Sequence, residues 1–225
     1  MPRFPLRALP LAVALLCASA RGAPAQERPT LSITAPSTDQ LTRTGPVVIA
    51  SRMLSGRKLQ ELLASGFPAR LHFTVELWSV GTWSSDLERI VEWDVVVRWL
   101  AVERAYDVTQ MVSDRPFSLG RFTQLSDAEA AVARPVRAQI VAFASRRRFF
   151  YQATLSVEAL SVTDLDEVER WLRGELRPAV RGERNPGTVI GRGIRTLASR
   201  LLGGERREYE ERTGVFEVRT ADCRR

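Results

Sequence analysis

"RLHFTVELWSVGTWSSDLERIVEWDVVVRW", residues 70–99, holds four of the chain's five tryptophans in two alternating runs joined by a short turn. In the first run Leu71, Phe73, Val75 and Leu77 fall on one face, and His72, Thr74, Glu76 and Trp78 on the other, because successive strand side chains point to opposite sides. In the second run Val91, Trp93, Val95, Val97, Trp99 and Ala101 share a face, opposite Glu92, Asp94, Val96, Arg98 and Leu100. A period of two with one polar face suits antiparallel strands packed on one side only. The stretch therefore predicts a long hairpin, with Trp93 and Trp99 in the core.

The same reading extends outward. "LSITA" alternates and is expected as a short edge strand, and "PVVIASRML" as a second strand. "SGRKLQELLASG" reads as a short helix capped by Ser55, stapled by Leu54 with Leu59, and stopped by Gly66 in a left-handed conformation. Past the hairpin, residues 106–112 and "RPFSLG" are expected strands, and "LSDAEAAVARP" a small helix with a capping box of Ser126 and Glu129. Residues 139–144 and 150–162 read as a second hairpin turning around Arg146 to Arg148. "DLDEVERWLRG", with Trp171 on its inner face, reads as a third helix, "VIGRGIRTLASRLLGG" as a basic amphipathic segment, and "REYEERTGVFEV" as a closing strand. Many antiparallel strands with short helices in the connections predict a mainly β fold, an antiparallel β-sandwich with a few short connecting helices. An outer-membrane barrel is disfavoured, since Glu92, Asp94 and Arg98 would face lipid.

The first 25 residues read as a signal peptide. Arg3 and Arg7 precede the apolar run "LPLAVALLCASA", and cleavage is expected after Ala25. A lipoprotein reading would use Cys17, whose neighbour Leu16 is bulky for that role. Export places the protein in the periplasm or beyond. Residues 26–45 are expected as a flexible lead-in, 46–218 as one sandwich domain and 219–225 as a disordered tail. Loss of the leader takes away Arg3, Arg7 and Arg21 and lowers the formal charge from +7 to +4. So modest a charge serves solubility and argues against nucleic acid as a partner. Cys223 is then the one remaining cysteine, so packing rather than an intramolecular disulfide must hold the fold.

The region from about Leu41 to Val218 resembles a bacterial family of exported proteins catalogued as domain of unknown function 4390. The resemblance rests on "GFPARLHFTVELW", Trp83 in the turn, "VVVRWLAVERAYDVTQ", "FTQLSDAEAAV" and "YQATLSVEALSV". It implies an envelope location and supplies no catalytic residues; "VIGRGIRTLASRLL" departs from the family's C-terminal pattern.

Few residues suggest chemistry. His72 is the single histidine and lies on the polar face of its strand, where a surface position is expected. With one histidine and no cysteine pair, neither a Ser-His-Asp set nor a transition-metal site is expected, and no cofactor. Glu92 and Asp94 share a strand face roughly 7 Å apart, within the range of glycosidase pairs, but beside Arg98 they read as a solvated, cross-paired surface. "SRRRFFY" mixes basic and aromatic residues and reads as a solvated turn. Trp78 points away from the apolar face and Trp83 lies in the turn, and exposed aromatic rings are what binding surfaces use. These two are the candidate binding residues for an envelope protein partner or small ligand, and the protein is read as non-enzymatic. A second reading is contact with a membrane surface through residues 189–202.

Overall fold

Alternation becomes a sheet because each long strand has one face it cannot leave in water. The computed structural model describes residues 28–113, 115–145, 147–160 and 206–218; the third helix with Trp171, the 189–202 segment and the leader lie outside them. The elements run β1 (Thr30–Thr34), β2 (Val47–Ser51), α1 (Arg57–Ala64), β3 (Ala69–Val80), β4 (Ser85–Leu100), β5 (Ala105–Val112), β6 (Arg115–Phe122), α2 (Leu125–Val132), β7 (Val136–Arg137), β8 (Arg148–Ala159), β9 (Arg207–Arg212) and β10 (Phe216–Glu217).

These strands form two antiparallel sheets. Seven strands take the order β10-β8-β3-β4-β5-β6, with β9 pairing along the same side of β8 as β10, and three strands take the order β1-β2-β7. The fold is thus mainly β and sandwich-like, with few helices among the described residues. β3 is central and is paired over its whole length, with β4 on one side and β8 on the other. Its odd face, Leu71, Phe73, Val75 and Leu77, is at most 4% exposed. It packs into one core with Trp93, Val95 and Val97 of β4, Tyr151, Leu155 and Val157 of β8, and Leu31, Val48 and Ala50 of the small sheet. Burying one such aliphatic side chain contributes roughly 1.5–3 kcal/mol, so this face rather than strand propensity sets the register. Phe73 and Trp93 stack at 4.9 Å and 7° within it.

Several local expectations change in the structure. "LSITA" forms the expected edge strand, β1, paired residue by residue with β2, but the rest of the lead-in is not free either, since its Leu41 is 1% exposed. Residues 139–144 form no strand; β7 is two residues long, and the chain beyond it is tied by Ala138 N–H to Pro46 O and Ala142 N–H to Leu41 O. The closing strand is split, because Thr213 interrupts the ladder: Tyr151 N–H donates to its hydroxyl, while its own N–H donates to Tyr151 O. Trp99 lies on the core face near one end of the sheet and is only half-buried, tilted against Tyr106 at 4.7 Å.

Both helix starts also differ. α1 begins at Gly56 without a side-chain cap, and the Ser55 hydroxyl instead donates to Arg52 O. A Cβ at Gly56 would lie 2.8 Å from the Arg207 guanidinium, which donates to Met53 O and would have to shift to admit it. The helix ends as expected at Gly66, φ +91°, with Phe67 N–H bonded to Leu62 O and Gly66 N–H to Leu63 O. α2 is preceded by Gln124, with no capping box. Glu129 reaches across the core instead, its two carboxylate oxygens accepting the Met53 and Leu54 N–H groups at 2.8 and 2.7 Å.

Candidate functional site: the outer face of the large sheet

The even residues of β3 do not face the small sheet. Strand pairing lines them up in rows with their neighbours: Arg70 beside Val96 and Glu158, His72 beside Asp94 and Ser156, Thr74 beside Glu92 and Thr154, Glu76 beside Ile90 and Gln152. A register shift between Leu77 and Trp78 leaves Glu88 out of the ladder and places Trp78 opposite Leu87 and Phe150. The face therefore has a charged end and an apolar end.

At the charged end the expected surface histidine is largely covered. Its side chain is 17% exposed and that of Asp94 12%, while Arg70 as a whole is 7% exposed. Asp94 Oδ1 accepts from Arg70 Nε at 2.8 Å and lies 2.9 Å from His72 Nδ1. Arg70 Nη1 is 3.5 Å from Glu158, His72 Nε2 is 3.8 Å from Glu92, and the Thr74 hydroxyl lies 3.4 Å from Nε2. Burial alone would discharge the imidazole, but hydrogen bonding to Asp94 and Glu92, with the Asp94 charge, overrides it and pushes the His72 pKa up to about 9. Burial likewise opposes charge on Asp94, yet the His72 hydrogen bond and the Arg70 charge hold its pKa below the usual carboxylate range.

This corrects two expectations. His72 and Asp94 are partners inside a covered ion cluster, and the Glu92–Asp94 pair is not a solvated surface beside Arg98. Arg98 turns instead toward Asp107 at 3.6 Å. Thr74, His72 and Asp94 follow one another in the order of a hydroxyl–histidine–carboxylate relay. An imidazolium with a pKa near 9 has no lone pair to take a proton from that hydroxyl at neutral pH. Among the described residues no group of His, Cys, Asp and Glu is arranged to hold a metal ion.

The apolar end is built from Trp78, Phe150, Leu87 and Ile90. The rings of Trp78 and Phe150 are stacked with centroids 6.4 Å apart and planes 6° from parallel. The Trp78 indole N–H donates to Glu76 at 2.9 Å, which fixes the ring's orientation. The Arg212 guanidinium lies 6.0 Å over the other aromatic ring, Phe150. Leu87 and Ile90 are each 46% exposed. Trp83 is 97% exposed at the hairpin tip, where Gly81 N–H closes the turn onto Ser84 O and a Cβ at Gly81 would meet that oxygen at 2.3 Å. Trp83 makes no ring contact with Trp78 among the described residues. The two candidate tryptophans are therefore at the same end of the sheet but not in one stack.

Phe150, Leu87 and Ile90 are members of this surface that sequence reasoning missed. Phe150 was legible as the outward residue between Phe149 and Tyr151, whereas Leu87 joins the face through the register shift. Within "SRRRFFY", Arg147 pairs with Glu88 at 2.9 Å. Among the described residues no helix is long and apolar enough to cross a membrane. No protein-family model, curated protein or solved structure matches the chain. The class to which it belongs is thus set by its own architecture, a sandwich-like β domain whose outer sheet face joins a covered ion cluster to a partly exposed apolar patch.

Proposed function

We propose that the protein is an exported, non-catalytic binding module of the bacterial cell envelope, and that a protein partner docks on the apolar end of the outer face. The observation that carries the reading is the group of half-buried Trp78 and Phe150 with exposed Leu87 and Ile90 on an otherwise charged sheet face, and Trp83 exposed at the tip beside it. Contiguous apolar surface of that kind, rimmed by charged residues such as Glu76 and Arg212, marks interaction sites. Stacking, with the indole hydrogen bond, holds Trp78 in one orientation before a partner arrives, which lowers the ordering cost of binding. The leader sequence and the resemblance to the exported family support the location. The charged end supports a non-catalytic role, because its histidine and carboxylates are already committed to one another.

The test is crosslinking in the intact envelope with a Trp83→Ala, Leu87→Ser double variant. Both side chains are exposed, so the fold and the protein level are expected to hold, while a partner crosslinked to the parent protein falls by about tenfold or more, as for hot-spot residues. An unchanged set of crosslinked partners at matched protein level would overturn the reading.

A further inference from the structure

Between the two sheets, on the opposite side of β4 from the ion cluster, the core is incompletely filled. A cavity of about 180 Å³ lies against Phe73 and Trp93 of the large sheet and Ala131 and Val132 of α2, with Gln110 and Arg134 also on its lining. Arg134 is exposed, so it stands at the rim, whereas Phe73 and Trp93 are 4% and 5% exposed and form the depth. The walls are mostly apolar, with Gln110 and Arg134 as the polar side chains on them. The Trp93 ring lines the recess, while its indole N–H is shielded from it and has no hydrogen-bond partner among the described residues. Gln110 stands opposite Val95 and so faces inward, and its amide makes no hydrogen bond among the described residues. The Arg134 guanidinium has no ion pair among them either.

An apolar recess with a few convergent polar groups is how small-molecule sites are built. Its size is informative, because a dry cavity of roughly 150 Å³ takes up a benzene ring. The exposed Arg134 cation at the rim selects an anionic head group, and the Gln110 amide offers a donor to an acceptor oxygen. We propose that this cavity binds a small organic acid, with one ring-sized apolar group seated against Phe73, Trp93 and Val132 and its carboxylate at Arg134. The site is separate from the aromatic patch on the outer face and does not depend on that patch binding a partner.

Phenylacetate is the probe, with benzyl alcohol as its uncharged counterpart. In ¹⁵N–¹H spectra the Trp93 indole signal, identified by its loss in Trp93→Phe, is expected to shift saturably with phenylacetate. Nuclear Overhauser contacts are expected from the probe's ring to the Val132 methyl groups of the parent protein. Arg134→Ala should weaken phenylacetate by about tenfold, as loss of a charge-assisted contact does, and leave benzyl alcohol unchanged. Ala131→Leu should fill the recess and abolish both. An indole signal that stays fixed at millimolar phenylacetate, or that contacts only water, would overturn the proposal. So would a shift without contacts to Val132, or equal weakening of both probes by Arg134→Ala. The contacts in the parent protein decide the matter even if Ala131→Leu fails to fold.

Discussion

Raising the pH from 6 to 10 removes the positive charge from His72, and the covered cluster around it makes the consequence large. In the unfolded chain the group titrates near 6.5, and in the fold at about 9. A histidine held above its unfolded pKa contributes stability that is fully present below pH 6.5, declines between about 6.5 and 9, and is absent above that. The difference corresponds to about 3 kcal/mol. At 17% side-chain exposure, solvent screening does not cancel it. For a domain of this size that is a fall in Tm of about 6–12 °C. Asp94 runs the other way: its contribution is present above the ordinary carboxylate pKa and is lost as the pH falls through its depressed value. Greatest stability is therefore expected between the two, on the mildly acidic side of neutrality. The chain has one histidine, so a single imidazole C–H resonance reports the folded pKa directly while urea titrations report stability across the same range. A pKa near 6.5, or stability that stays flat from pH 6.5 to 9, would refute the reasoning. His72→Gln should lower stability at pH 6 and flatten the pH profile above it.

Two further substitutions test how the fold is closed. Glu129→Gln keeps the side chain's shape but turns an NH₂ toward one of the Met53 and Leu54 N–H groups, and should cost about 1–3 kcal/mol by urea denaturation. An unchanged midpoint would show that α2 is anchored by packing alone. Gly66→Ala has open space around the new methyl but must hold φ at +91°, so a loss of about 1 kcal/mol is expected, and a gain would contradict the left-handed helix stop.

The period-two pattern of residues 70–99 was enough to place Leu71, Phe73, Val75, Trp93, Val95 and Val97 on one buried face, because alternation is a property of the strand itself. The Gly66 stop was legible for the same reason, being a matter of local backbone conformation. What failed were inferences that treated a local motif as complete. Ser126 and Glu129 have capping-box spacing, but two orphan N–H groups from the loop before α1 compete for that carboxylate. Ser55 has the chemistry of a cap, but its hydroxyl is taken by the Arg52 carbonyl three residues back. At the candidate surface, Trp78 and Trp83 were visible as outward or turn residues, while Leu87 was not, since its face depends on the register shift beside Glu88.

The tryptophan-rich hairpin by itself thus determined the strand-rich character, the central strand pair and the burial of Trp93. Whether its other face was wet or covered was decided only in three dimensions. Alternation tells which residues share a side, but burial and pairing depend on what neighbouring strands bring to each row. There Asp94 met both Arg70 and His72, and turned an expected surface histidine into a covered imidazolium. Along the same face Phe150 met Trp78, and made one outward tryptophan part of a stacked, oriented patch while the other stood free at the tip.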